Sequence, residues 1–513
     1  MYRYKLLAFA ITSGLYSYAQ NDIDAIRYSR IGGGGSSRFV AMGGAFGAIG
    51  ADPSCGAYNP AGLGLIRKGE LSFSGGLRIT NNEGNIYKTG TSVPDAKFTF
   101  NNFAFTYAWN PASDPESRHV LAFTNTQLQN FSNTVRMSGY TNSSSIATDM
   151  RNLANQSGPG GLDYFYEGLG FETLVLDTVN NGQFISMVDP KRTVKQTRDL
   201  VTTGRVNDLN FSYAYSYKDK FYIGASLGFP RIQYTSTTTH AEADDKDSMR
   251  IAFSPDTSSY TSTYVDGFPT LNSYYSDVLG FNSLEFTEYF KTQGTGFNFK
   301  IGGVARLNDM VRIGMYYHTP TIYNLSDTYY NSMSATFDKY KSKSYTSRNP
   351  LTEEGDGFFE YKIITPSRFG VNSAFLIQKM AVIGLDYELV NYSKAQLSSD
   401  RLSDFAGVNS VIKTKYTYGH NVRVGAELNV KPVMVRAGYA MQGSPFGEVF
   451  AGNFVRHTVS AGLGFRGSGA WYLDLVLAKT FSKEEYLPFS TLPTQATVNY
   501  NATTFAATIG LKF

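Results

Sequence analysis

From residue 69 onward, apolar and polar side chains alternate along the chain. Phe103, Phe105, Tyr107 and Trp109 alternate with Ala104, Thr106 and Ala108. Leu209, Phe211, Tyr213, Tyr215 and Tyr217 alternate with Asn210, Ser212, Ala214 and Ser216, and the chain ends on Phe505, Ala507, Ile509, Leu511 and Phe513 in the same rhythm. A period of two marks a strand with unlike faces. About fourteen such runs occur, near 69–78, 97–109, 118–131, 204–217, 220–236, 294–306, 310–318, 366–378, 380–389, 414–429, 432–440, 456–466, 470–480 and 502–513.

The connections alternate in length. Lys218-Asp219-Lys220, Leu307-Asn308-Asp309, Gln378-Lys379 and Gly467-Ser468-Gly469 mark tight turns, while long excursions lie near 131–204, 236–294, 318–366, 390–414 and 480–502. Short turns at one end and long loops at the other predict an all-β fold: a transmembrane, antiparallel, up-and-down β-barrel. An even strand count puts both termini on the periplasmic side. The apolar set of Phe, Tyr, Leu, Ile, Val and Ala is expected to face lipid. The opposite set carries Gly, Ser, Thr and Asn together with Arg312, Arg368, Asp386, Glu388, Arg423, Glu427, Arg436 and Asp474. Charges of both signs on that face predict a paired network inside a polar lumen.

The start of the chain reads differently. Residues 1–19 have the order of a secretory signal: Arg3 and Lys5, then a short apolar run, then Ser17-Tyr18-Ala19, so the mature chain is expected to begin at Gln20. Residues 20–68 do not alternate; the stretch from Arg38 to Gly64 is apolar, small and glycine-rich. A barrel of fourteen strands is too wide for its own side chains to fill. Residues 20–68 are therefore expected to be a plug, or hatch, inside the lumen of a barrel spanning 69–513. Asn59-Pro60 predicts a rigid turn, because Pro60 fixes its own φ and pushes Asn59 to extended geometry.

Composition narrows the choices. Charged residues are 17% and aromatics 15%, with 37 Phe, 37 Tyr and 50 Gly. That much apolar surface excludes a disordered chain. Mean hydropathy is −0.24, and no run of about 20 apolar residues exists for a spanning helix. One cysteine, Cys55, excludes an internal disulfide framework and a Cys-based zinc site. A net charge of +4 without a basic stripe gives nothing for nucleic acid to bind.

Met42-Gly43-Gly44-Ala45-Phe46, Asp52-Pro53-Ser54 and above all Asn59-Pro60-Ala61-Gly62-Leu63 resemble the hatch of the FadL/TodX family of outer-membrane hydrocarbon transporters. Tyr317-His318-Thr319-Pro320-Thr321, Thr365-Pro366-Ser367-Arg368-Phe369 and Arg436-Ala437-Gly438-Tyr439 are similar to stretches of Bacteroidetes-type members. The resemblance runs from about residue 30 to the end. It implies passive uptake of hydrophobic molecules, long-chain fatty acids or similar lipophiles, through a hatch-plugged barrel with sideways release at a kinked third strand. The third run, Ser117 to Phe131, contains no Gly or Pro to mark a kink; Gly228-Phe229-Pro230 in the fifth is the stronger local signal.

Candidate functional positions follow. Asn59, Pro60, Ala61 and Gly62 are the hatch motif. Two apolar clusters in the long loops are candidate ligand contacts: Phe165, Tyr166, Leu169 and Phe171, and Phe268, Leu271, Tyr274 and Leu279. No catalytic set and no metal set is expected. Gly224-Ala225-Ser226-Leu227-Gly228 fits a serine-hydrolase pentapeptide but lies within a strand run, without the helix that chemistry needs. The five histidines lack metal-ligand spacing; His240 or His318 could hold haem, so a haem receptor and a general porin are the alternatives. No cofactor is expected. The expected partners are a hydrophobic ligand, outer-membrane lipid and lipopolysaccharide, and the insertion machinery that reads a terminal aromatic such as Phe513. The chain is expected to act as a monomer in the outer membrane.

Overall fold

The computed structural model describes residues 21–178, 182–189, 191–246, 249, 264–265, 268–269, 280–337, 343–347, 355–378, 380–401, 404–430, 432–447, 454–467, 470–486, 489 and 496–513. The expected signal at 1–19 lies outside them. The described residues form fourteen barrel strands. The first six are β1 (Glu70–Ile86), β2 (Thr89–Trp109), β3 (Ser117–Asn130, continued by Asn133–Thr141), β4 (Val194–Tyr217), β5 (Phe221–Ala243) and β6 (Phe281–Arg306). Then come β7 (Val311–His318, continued by Ile322–Phe337), β8 (Gly357–Ile364, continued by Arg368–Ile377), β9 (Ala381–Asn391) and β10 (Tyr418–Val430). The last four are β11 (Val433–Gln442), β12 (Arg456–Arg466), β13 (Trp471–Tyr486) and β14 (Ala496–Lys512).

Each strand pairs antiparallel with the next. β1 closes the ring on β14 from Glu70 opposite Lys512 to Asn85 opposite Thr497. The fourteen runs read from the sequence correspond one to one with these strands. Tight turns suit the strand twist: Lys218 and Asp219 take φ of 55° and 50°, as a two-residue hairpin turn requires. β7 and β8 break side by side at Pro320 and Pro366, which have no N–H for the ladder. Thr365 N–H donates to the Thr321 carbonyl at 2.9 Å and holds the two breaks together.

The outward face is apolar over a sharply bounded band. One row across the wall reads Leu209, Phe229, Phe297, Ile322 and Ile364; the next reads Asn207, Arg231, Thr295, Asn324 and Lys362. Phe229, Phe297 and Ile322 are 42%, 47% and 49% exposed. Large side chains exposed in unbroken rows belong against lipid. The inward face carries the charges, with Arg368, Asp386, Glu388, Arg423, Arg436 and Asp474 all buried.

Several strands are longer than their alternation predicts. β1 and β2 run on through 79–96 to a tight turn at Tyr87 and Lys88, and β4 to β7 continue well past the apolar band. Above the band neither face meets lipid, so the apolar alternation fades while the hydrogen-bonded ladder persists. Inside this tall part sits a cap built from α3 (Ile146–Ser157) and α4 (Glu167–Glu172). It packs Ile146, Met150, Leu169 and Phe184 against Phe286 and Met333 of the wall.

Residues 21–66 form no strand. α1 (Asp22–Ser29) carries a capping box of Asn21 and Asp24, and α2 (Ser37–Ala41) is capped by Ser36. Two 3-10 turns follow, Pro53–Ala57 and Pro60–Leu65, each begun by proline and capped by Asp52 or Asn59. Asn59 is extended, at φ −114° and ψ 97°, as the following proline demands. The free thiol of Cys55 is buried here.

Candidate functional site: a plugged lumen with an off-centre cavity

The N-terminal segment is fastened to the wall by charge. Arg38 of α2 makes two bonds to Glu427, at 2.9 and 3.0 Å. Glu427 also takes Arg436 at 2.6 Å, and Arg436 reaches Asp474 at 2.7 Å. A second cluster centres on Glu388, which accepts from Tyr316, Arg368, Asn421 and Arg423 at 2.8–3.4 Å. Arg368 in turn donates to the Ser29 carbonyl at the end of α1. Gly47 N–H donates to Asp386 at 2.9 Å, and Arg312 donates to the Ile49 carbonyl at 3.0 Å. Of the inward charges read from sequence, Arg368, Glu388, Arg423, Glu427, Arg436 and Asp474 thus pair with one another, while Arg312 and Asp386 bond the backbone of the segment. A carboxylate shared between two guanidiniums in a dry setting gives strong, oriented bonds.

Close approach does the rest. Inward glycines recur on strand after strand: Gly224 on β5, Gly302 on β6, Gly384 on β9, Gly425 on β10, Gly438 on β11 and Gly462 on β12. A β-carbon at Gly302 would overlap Asn59 Oδ1; one at Gly224 would overlap Pro60, and one at Gly425 the Met42 carbonyl. This belt lets residues 41–61 lie backbone to backbone against the wall. It carries no apolar signal, so alternation alone passes over it.

Asn59, Pro60, Ala61 and Gly62 sit at the centre of this contact. Asn59 Nδ2 donates to the Gly47 carbonyl at 2.7 Å, and Asn59 Oδ1 accepts from Ala61 N–H at 3.2 Å. Asn59 thereby ties the two halves of the segment. Pro60 and Ala61 press on Gly224, and Gly62 is packed against Cys55.

The segment leaves one side of the lumen open. A cavity of about 920 Å³ lies between it and the wall of β1–β4 and β10–β14. Ile23 and Ile26 of α1, Leu128, Phe131, Val135 and Leu200 give it apolar surface. At this cavity the barrel ladder is broken. β2 and β3 pair only from Asn102 opposite Thr126 to Trp109 opposite His119, so residues 89–101 of β2 have no ladder partner on the β3 side. β3 shifts register against β4 between Gln127 and Gln129, and three consecutive residues, Thr126, Gln127 and Leu128, are buried. β2 also skips Asn101 in its ladder with β1. Only side chains cross the gap, with Thr99 bonded to Gln127 at 2.7 Å. Phe98 stands at its outer edge, 77% exposed.

The strand irregularity is therefore in the third strand, within residues 117–130 that contain no Gly or Pro. In the fifth strand, where the sequence signal is stronger, β4 and β5 pair without interruption through Asp208 opposite Pro230. β6 merely passes over Phe229 and Pro230 without a shift of register. Gly32 and Gly34 pack against the shifted turn of β3; a β-carbon at Gly34 would overlap the Gln127 carbonyl.

The first loop cluster lies in the cap. Leu169 is fully buried in the cap's own core. The Tyr166 hydroxyl donates to Asp149 at 2.8 Å, Phe165 tilts on Tyr329, and Phe171 stays 37% exposed against Phe184. Phe268 pairs with Val265 in a two-residue ladder, while Leu271, Tyr274 and Leu279 lie outside the described residues. His318 is bonded to the Tyr58 carbonyl and His240 to Glu242, both buried. Among the described residues no group of His, Cys, Asp and Glu is arranged to hold a metal ion.

No curated protein matches the sequence. Among solved structures, a FadL homologue from Pseudomonas aeruginosa is similar in fold, at 13% identity and a TM-score of 0.54, with 94% of this chain and 99% of that chain covered. A deltaS2 mutant of the TodX monoaromatic hydrocarbon channel aligns at 10% identity and a TM-score of 0.52, covering 93% and 98%. The model of the outer membrane protein transport protein family (OMPP1/FadL/TodX) matches residues 191–513. With that match over more than half its length, this chain belongs to the FadL/TodX family of outer-membrane transport proteins for hydrophobic compounds.

Proposed function

We propose that this protein passively carries long-chain fatty acids or similar lipophiles across the outer membrane and releases them sideways into the bilayer. The observation that carries this reading is the cavity, part apolar and part polar, that borders the interrupted ladder between β2 and β3. A greasy molecule entering from outside is kept from the lipid by the sugar layer above it. Downhill movement past the apolar side chains of the cavity needs no energy source, and an opening in the wall spares the molecule from crossing the hatch.

In this reading residues 1–19 are removed on export and residues 20–68 act as the hatch. The start of β1 and the end of β14, together with the short turns, face the periplasm. The loop clusters of Phe165, Tyr166, Leu169 and Phe171 and of Phe268, Leu271, Tyr274 and Leu279 are where ligand first makes contact. Phe171 offers the exposed apolar edge. The barrel works as a monomer, inserted by machinery that reads Phe513.

Reconstitution of the full-length mature protein tests this. Labelled oleate uptake into liposomes is measured beside ionic conductance in planar bilayers. Uptake with negligible conductance is expected. Steady conductance without oleate uptake would replace this reading with a general porin.

A further inference from the structure

We propose that the outer wall of β4–β8, just above the lipid band, docks the phosphate of an anionic glycolipid of the outer leaflet, with Arg205 and Arg231 as the anion-binding pair. This rests on the orientation given above, in which the tall ends of these strands face away from the cell, and not on the identity of the transported ligand. Three rows of outward side chains follow the last apolar row. The first carries Arg231 and Lys362, the second Arg205 and Glu360, and the third Lys291. All four cations are exposed. Glu360 is the one acid in these rows, and it lies on β8 beside Lys362, three strands away from Arg231.

Arg205 and Arg231 are diagonal neighbours on adjacent strands, because Arg205 pairs with Gln233 and Asn207 with Arg231. Such positions lie about 7–8 Å apart, within reach of long side chains, so the two guanidiniums repel unless an anion lies between them. Nearby arginines have their own acids: Arg136 holds Asp199 at 2.6 Å and Arg198 holds Glu288 at 3.0 Å. Among the described residues Arg205 and Arg231 hold no carboxylate. Their height supplies the anion. Arg231 stands directly above Phe229 at the upper edge of the apolar band, where lipid headgroups carry their charge. A planar donor fork suits phosphate oxygens.

The surface beside the arginines suits sugar. Between the cations the rows carry amides and hydroxyls, among them Asn207, Gln233, Gln293 and Thr295. These groups can both donate and accept, as the hydroxyls of a saccharide require. β5 runs on from Arg231 to Ala243, and β6 descends to this level from Phe281, so the patch is backed by a tall polar wall. A glycolipid can place its acyl chains against the apolar band, its phosphate on the arginines and its sugars on the wall above. A simple phospholipid uses only the first two.

The test uses the full-length mature protein in phosphatidylcholine nanodiscs, with binding of diphosphoryl lipid A, dephosphorylated lipid A and phosphatidylglycerol measured in parallel. Diphosphoryl lipid A is expected to bind at least about tenfold tighter than either of the others, the scale of one charge-assisted contact. The double variant Arg205→Gln/Arg231→Gln is expected to lose that preference. Arg136→Gln, whose arginine already holds Asp199, should keep it. Heat-modifiable gel mobility checks that each variant is a folded barrel. An unchanged preference in the double variant overturns the site. Equal binding of dephosphorylated lipid A overturns the phosphate contact, and equal binding of phosphatidylglycerol overturns a glycolipid as the occupant. The orientation is read separately, by labelling Glu285→Cys, high on β6, with a membrane-impermeant maleimide on intact cells. Labelling is expected there. Labelling only after the cells are permeabilised overturns the orientation and the site with it, whereas normal labelling without lipid A preference overturns the site alone.

Discussion

At the scale of single residues, Asn59 and the wall glycines do related work. Asn59 makes two buried bonds within the hatch, to Gly47 and Ala61. Loss of its side chain costs about 1–3 kcal/mol in stranded partners. That cost falls on the hatch and not on the barrel ladder. Asn59→Ala is therefore expected to leave the barrel folded, judged by heat-modifiable mobility, while raising conductance in planar bilayers. Conductance equal to the native protein would show that Asn59 is not what holds the hatch shut. Gly302→Ala places a methyl group where Asn59 Oδ1 lies and is expected to give the same leak from the wall side. Asn59 was legible in the sequence because a proline follows it and fixes its geometry. Gly302 was not, since glycine counts toward neither face of an alternating strand and its reason lies in a segment more than two hundred residues away.

At the scale of elements, the informative contrast is between β3 and β5. Glycine and proline in β5 cost it two ladder partners on the β6 side, yet the register holds. The first part of β3, residues 117–130, has neither residue and shifts by one at Leu128. The shift leaves no mark in the apolar pattern, because Leu128 is even-numbered and buried like Val120 and Ala122 before it. Deleting Leu128 removes the extra residue at the register shift. It is expected to let the β2–β3 ladder extend, to cut oleate uptake by about tenfold or more if the gap is the exit, and to leave conductance low. Undiminished uptake in a folded deletion variant would sink the lateral exit. Gly34, which fits against the Gln127 carbonyl, links this strand to the hatch. Gly34→Ala should slow uptake without opening a pore, since it displaces the segment beside the gap but spares the contacts of Asn59 and Arg38.

At the scale of the molecule, a wide barrel and a small-residue insert solve one packing problem together. The insert spans the lumen from Pro60 on β5 to Arg38 and its partners on β10, β11 and β13. Removing residues 21–64 is expected to convert the protein into an ion-conducting pore, read by single-channel recording. A closed barrel after this deletion would mean that the cap, not the hatch, seals it. The strand count, the lipid face, the paired lumen charges and the plug-like segment were all legible, because each rests on a pattern that repeats or on a sharp change in composition. The cavity was not. It is the space left where a segment from one end of the chain fails to meet the wall built by the other.

Cys55 gives this arrangement a chemical clock. It is the only sulfhydryl in the chain, it sits within the hatch, and it is 1% exposed. A maleimide can reach it only when the hatch has moved, so the rate of alkylation measures how often the resting protein breathes, with no label engineered in. Native protein should react over hours and Asn59→Ala much sooner, and ligand that loosens the hatch should quicken the native rate. Prompt modification of the native protein without ligand would mean a hatch already in motion.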